Sequence, residues 1–184
     1  MHILNKSIHN ISDQELISAF KTDPERSFRV ILGKYKEPVY FQCRRILILH
    51  EDADDATQNT FVKVWNNLSK FKENSAFSTW LYRIAHNESL TLLKKRKKSL
   101  LESDAFDHSG IESTQDLMDS DRIEKILAKA IEALPNQQRM VFHYRYYDDL
   151  SFKQISTILG TSQGGLKANY HHAVAKIKKK LGLY

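Results

Sequence analysis

The chain is poor in the residues that break helices and in those that cross-link or do covalent chemistry. Its 184 residues include one cysteine, three prolines and six glycines. A single thiol, Cys43, excludes an internal disulfide and suits a reducing, cytoplasmic setting. So few prolines and glycines leave long uninterrupted stretches, which points to helices, and strand signals are weak. No run approaches the roughly 18 apolar residues of a membrane-spanning helix, so insertion into a membrane is not expected. Met1–Asn10 holds one lysine and no apolar run, unlike a secretory signal. A phosphate-binding glycine loop, a nucleophile elbow and an HExxH pair are also missing. Nothing therefore argues for an enzyme, and no catalytic residue, metal or cofactor is expected.

What the chain does have is positive charge, unevenly spread. Residues 1–98 carry 17 Lys/Arg against 11 Asp/Glu, a net of +6. Residues 99–120 carry six acids and no Lys/Arg, and residues 121–184 carry 11 Lys/Arg against 5 Asp/Glu, again +6. Two basic lobes suggest a polyanionic partner such as nucleic acid, the alternative being a merely soluble basic protein. The strip between them is rich in Ser and Asp and lacks an apolar period. The expected architecture is all-α: two small helical domains, 1–98 and 121–184, joined by a flexible acidic linker, 99–120.

In the first lobe, Leu16, Ile17 and Phe20 open a helix capped by Ser12 or Asp13. Phe28, Ile31, Leu32 and Tyr35 give a second apolar stripe, and Val39–Leu49, with Cys43, a third. Thr57, Phe61, Val64, Trp65 and Leu68 recur at three- and four-residue spacing, with Asp55, Gln58, Asn59 and Lys63 towards the other side. After a break at 71–75, a helix over 78–98 has Leu81, Ile84, Ala85, Leu92 and Leu93 inside. It ends in Lys94, Lys95, Arg96, Lys97 and Lys98. Cations at a helix C-terminus favour the dipole and need no ligand. Phe77, Trp80 and Tyr82 lie just upstream, however, and aromatics beside cations can stack an unpaired base while the cations hold its backbone. Phe77 and one face of Trp80 are expected in the core. The acids Glu51, Asp52, Asp54 and Asp55 sit at a helix start and lack the ligand pattern of a calcium loop, so a protein-docking face is the better reading.

In the second lobe, Ile123, Ile126, Leu127, Ala130, Ile131 and Leu134 form one helix, and Pro135 starts the next, with Val141, Phe142 and Tyr146. Ser151 and Gln154 make a capping box. Ile155 and Leu159 face inward, Gly160 supplies a left-handed turn, and Ser162 caps a second helix with Leu166, Tyr170, Ala173 and Ile177 inside. This is helix–turn–helix geometry. The outer face offers Gln163, Lys167, Asn169, His171, His172 and Lys176, which can reach base edges or phosphates; the bland alternative is a solvated helical hairpin. His171 and His172 point about 100° apart, so they do not chelate a metal together.

Three segments now resemble one family. Asp52–Phe61 followed by Val64-Trp65 is similar to region 2.2 of the extracytoplasmic-function (ECF) sigma factors of bacterial RNA polymerase. Phe77–Asn87 with Lys94–Lys98 resembles their regions 2.3 and 2.4. Leu134-Pro135, Gln138-Arg139, Val141-Phe142 and Leu150–Lys167 resemble region 4. The resemblance spans about 12–181 and implies a non-enzymatic specificity subunit. Its first lobe would dock on the clamp helices of the polymerase beta-prime subunit through Asp52, Asp55, Gln58 and Asn59. The same lobe would open the minus-ten element with Trp80, Asn87 and Lys94–Lys98. The second lobe would read the minus-thirty-five duplex and meet the beta flap. An anti-sigma factor is a family expectation only. Gly165, Leu166, Ala168 and Asn169 stand where the family usually has a β-branched pair, a Ser and an Arg. His172 and Val174 replace common arginines, and Ser156 a common Ala. A stand-alone helix–turn–helix regulator would need only the second lobe, and a scaffold would bind no DNA.

Overall fold

The structure, a computed structural model, describes residues 11–47, 49–102 and 122–183. From residue 103 on, the acidic strip lies outside the described residues. The chain divides into two compact units, Met1–Ile111 and Glu112–Tyr184, and every regular element among the described residues is helical.

The first unit contains α1 (Asp13–Ala19), α2 (Pro24–Ile46), α3 (His50–Asn67), a 3-10 turn (Leu68–Lys70) and α4 (Phe77–Glu102). Ser12 is the cap of α1: its Oγ accepts the Glu15 N–H while the Glu15 carboxylate accepts the Ser12 N–H at 2.8 Å. Asp23 caps α2, and Pro24 takes the first position, where a missing N–H costs nothing. The two apolar stripes expected on either side of Pro38 belong to this one helix. Proline gives no N–H to the preceding turn, but Tyr35, Val39 and Cys43 around it are all buried in the same core, which holds both halves in line. Ala53, Ala56 and Ala85 are fully buried, and such small side chains let α3 and α4 approach closely.

Two stripes differ from expectation at their edges. Trp65 follows the buried Val64 by one residue, so it covers the rim of the core rather than entering it. It is 39% exposed, with its ring edge-on to Phe20 and Phe28 at 5.2 and 4.9 Å. Leu93 is exposed because α4 leaves the core after Leu92 and runs on to Glu102, past the expected end at Lys98.

Polar groups also tie the bundle. Asp13 accepts from Lys34 Nζ and from the Tyr35 hydroxyl, both at 2.7 Å. Burial, and then the Asp13 carboxylate, hold the Tyr35 phenol far above its ordinary pKa. Gln42 Nε2 donates to the Tyr82 carbonyl at 2.8 Å. His86 is buried with no hydrogen-bond partner on Nδ1, and burial lowers its pKa below the ordinary histidine value of 6.5. Below that pH the unfolded chain binds a proton that the folded chain refuses, so stability falls as the pH falls. Urea midpoints from neutral to mildly acidic pH should drop for the wild type and drop less for His86→Gln.

The second unit contains α5 (Arg122–Glu132), α6 (Asn136–Tyr146), α7 (Phe152–Leu159) and α8 (Gln163–Leu181) around Ala130, Ile131, Leu134, Phe142, Ala173 and Ile177. Ile126, expected inside, is exposed, and Ile158 rather than Leu159 is the buried partner of Ile155. The Ser151–Gln154 capping box is present. Gly160 has φ +65° with open space where a Cβ would be, so the turn itself, not a neighbour, asks for glycine. Ser156 closes this turn by donating to the Thr161 carbonyl at 2.7 Å.

Candidate functional site

Three surfaces carry the residues singled out in the sequence. The first is α3. Its buried side is Ala53, Ala56, Thr57, Thr60, Phe61 and Val64, which leaves Asp55, Gln58 and Asn59 exposed. Val62 continues this side, one turn beyond Gln58 and 57% exposed. The signal for Val62 in the sequence is the helical period, which sets an aliphatic residue in line with Asp55 and Gln58 and opposite the apolar stripe. Beside it lies an apolar groove of about 400 Å³ between α2 and α3, lined among others by Leu32, Tyr40, Phe41 and Asp54. The Tyr40 hydroxyl and His50 Nδ1 are 2.7 Å apart, and His50 stands 3.5 Å from Asp54. Asp52 is placed differently from Asp55 and Gln58: it faces α4, where its carboxylate pairs with Arg96. Lys63 also turns to α4, to the nearly buried Glu88 at 2.5 Å.

The second surface is α4. Trp80 is half-buried against Phe71 and Phe77, with ring centroids at 5.0 and 5.9 Å, so one of its faces belongs to the core, and Phe77 is fully inside. Asn87 is exposed, as are Lys94, Lys95, Arg96 and Lys98; the Lys97 side chain lies outside the described residues. The outermost turns of α4 thus present cations beyond the aromatic cluster, with Arg96 already engaged by Asp52.

The third surface is α8. Ser162 accepts the Gly165 N–H at 3.3 Å, and a Cβ on Gly165 would come within 3.3 Å of that same hydroxyl. A Cβ on Gly164 would meet nothing within 4 Å, so no contact inside the chain asks for glycine there. With Leu166, Ala173 and Ile177 buried, the first turns expose Gln163, Gly164, Lys167, Ala168, His171 and His172. Ala168 lies about 200° round the helix from Leu166, at the centre of this outer face. Asn169 is half-buried at its edge. Lys176 Nζ donates to Gln138 Oε1 of α6 at 3.0 Å. The His171 and His172 rings are 6.1 Å apart and nearly perpendicular, and the described residues hold no cluster of three or more His, Cys, Asp or Glu suited to a metal. No helix among the described residues is long and apolar enough to cross a membrane.

Comparison with known proteins gives this arrangement a family. Residues 31–99 match Sigma-70 region 2, and residues 124–177 match Sigma-70, region 4. The ECF RNA polymerase sigma-E factor of Escherichia coli (strain K12) is 28% identical over 182 residues, covering 93% of this chain and 95% of that protein. The RNA polymerase sigma-H factor of Pseudomonas aeruginosa is 29% identical over 180 residues, covering 92% and 93%. Among solved structures, the sigma factor RpoE in complex with the anti-sigma factor NepR from Bartonella quintana aligns with TM-score 0.71 at 22% identity, covering 86% of this chain and 98% of that one. CnrH in complex with the cytosolic domain of CnrY aligns with TM-score 0.67 at 22% identity, covering 92% and 97%. A region 2 bundle followed by a region 4 helix–turn–helix on one chain is the make-up of a non-catalytic, promoter-specific transcription initiation factor, and the chain belongs to the ECF sigma factors of bacterial RNA polymerase.

Proposed function

We propose a division of this sigma activity among the three surfaces. The outer side of α3, with Asp55, Gln58, Asn59 and Val62, docks on the clamp helices of the polymerase beta-prime subunit, and the apolar groove beside it receives a side chain of the same partner. The outer part of α4 engages the minus-ten element: Trp80 and Asn87 lie towards the opened strand, and Lys94, Lys95, Arg96, Lys97 and Lys98 towards phosphates. Residues 99–120 link this lobe to residues 121–184, whose α8 enters the major groove of the minus-thirty-five element while the unit meets the beta flap. Because Ala168 is central and Asn169 marginal on α8, we assign base-edge contacts to Gln163, Lys167, Ala168, His171 and His172. Asn169 and Lys176 take the flanking phosphates. The chain works in the cytoplasm, where its polymerase is, and an anti-sigma factor is an expected partner.

The observation that carries this reading is the exposed polar side of a helix held by the Ser151 and Ser162 caps and the Gly160 turn. Run-off transcription with purified core polymerase and genomic promoter fragments tests it. Discrete starts that depend on this chain support it, and DNA binding without starts would favour a stand-alone regulator. Replacing Lys94 and Lys95 by alanine should weaken all promoters alike and flatten the log–log salt dependence by about 0.7 for each single-strand phosphate left without its lysine. A changed promoter preference would show that these lysines read sequence.

A further inference from the structure

Asp52 and Lys63 occupy one edge of α3, about three turns apart, and both reach across to α4. Lys63 pairs with Glu88 and Asp52 with Arg96. The rising number on one helix meets the falling number on the other, so the start of α3 lies against the end of α4. The two pairs differ in kind. Glu88 is almost buried, and losing Lys63 would strand its carboxylate. The side chains of Asp52 and Arg96 are 27% and 42% exposed, so water could serve either one, and the fold gains little from their contact. What the contact does is occupy a guanidinium inside the cationic end of α4. Carboxylate and phosphate compete for the same planar fork of N–H donors.

We propose that Asp52 is an internal competitor for phosphate: it holds Arg96 while the chain is free and yields it to the DNA backbone once α3 is docked on polymerase. This rests on reading α3 as the docking helix and the end of α4 as phosphate-binding. Release follows from charge. Asp52 stands beside exposed Glu51 and one turn before exposed Asp55. A cationic partner drawn to these acids also draws the Asp52 carboxylate and weakens its hold on Arg96. Asp52 then belongs to the control of DNA contact, and Asp55 and Gln58 to docking proper.

The test measures fluorescence anisotropy of a labelled oligothymidylate with the full chain, free and bound to core polymerase. For the free chain, Asp52→Asn should raise affinity about two- to fivefold, the scale of a partly exposed pair. It should also steepen the log–log salt dependence by about 0.7, as one further single-strand phosphate is neutralised. The gain should vanish in an Arg96→Ala background, and on polymerase wild type and Asp52→Asn should bind alike. No gain in the free chain would overturn the proposal. So would a gain of equal size without Arg96, which is what diffuse charge removal gives. A gain that persists in full on polymerase would overturn the release. Direct titration of wild type with core polymerase keeps the two readings apart: absence of binding there sinks the docking assignment and the release with it, while competition for Arg96 is decided by the free-chain arms alone.

Discussion

Asp55→Ala combined with Gln58→Ala should lower affinity for core polymerase at least tenfold and leave helical content and thermal midpoint unchanged. Both side chains are exposed on α3, opposite the stripe that packs the first unit, so truncation removes little that the fold uses. At the centre of an interface, such a truncation costs more than about 1 kcal/mol per residue, and about 1.4 kcal/mol is a factor of ten. Val62→Asp should weaken binding further by placing a charge where an apolar side chain meets the partner. Titration of labelled protein with core polymerase gives the affinities, and circular dichroism the control. Unchanged affinity in the double variant would remove α3 as the docking surface.

Ala168→Glu should abolish recognition of the minus-thirty-five element, weakening binding by roughly a hundredfold or more. A carboxylate at the centre of the outer face of α8 would meet phosphates and base acceptors at close range, and like-charge juxtaposition costs several kcal/mol. The substitution is mild for the fold, since Ala168 is exposed and Glu is a good helix former. Asn169→Ala is the companion. From its half-buried place at the edge it should weaken all single-base promoter variants alike, while Lys167→Ala should lose about 1–3 kcal/mol at one position only. Binding across a set of single-base variants separates the two. A position-specific loss for Asn169→Ala would move base reading to that edge, and intact binding by Ala168→Glu would mean that this face does not enter the groove.

Much of this was legible in the sequence because it is set by near neighbours. Ser151 with Gln154 and the Gly160 turn act within three to five residues, and the three- and four-residue spacing of Thr57, Phe61 and Val64 separates the two sides of α3 without a partner in view. At the first helix the sequence leaves Ser12 and Asp13 both open as cap, and the structure gives Ser12, boxed with Glu15. The limits are equally physical. The stripes Phe28–Tyr35 and Val39–Leu49 read as two because a period does not show that one helix runs through Pro38, whose local cost is offset by a core assembled from three helices. Leu93, Ile126 and Leu159 fit the helical period, but the core ends before it reaches them, and a period says nothing of where packing stops. Asp52 and Asp55 are the same residue type on successive turns of α3. Only the antiparallel packing of α3 on α4 shows that one is paired 44 residues away and the other faces outward.

Cys43 has zero exposure, and burial holds its thiol above the ordinary pKa although the Ser89 and Thr57 hydroxyls pull the other way. Alkylating reagents attack the thiolate, so they reach this sulfur only in the moments when α2 parts from α3 and α4. With no second thiol in the chain, the rate of labelling acts as a single clock for the opening of the first unit. Whatever binds that unit closed, polymerase or promoter strand, slows the clock by the factor with which it shifts the opening equilibrium. Followed by the mass of this chain alone, labelling thus times occupancy of the region 2 lobe within the holoenzyme without a fluorophore on either partner.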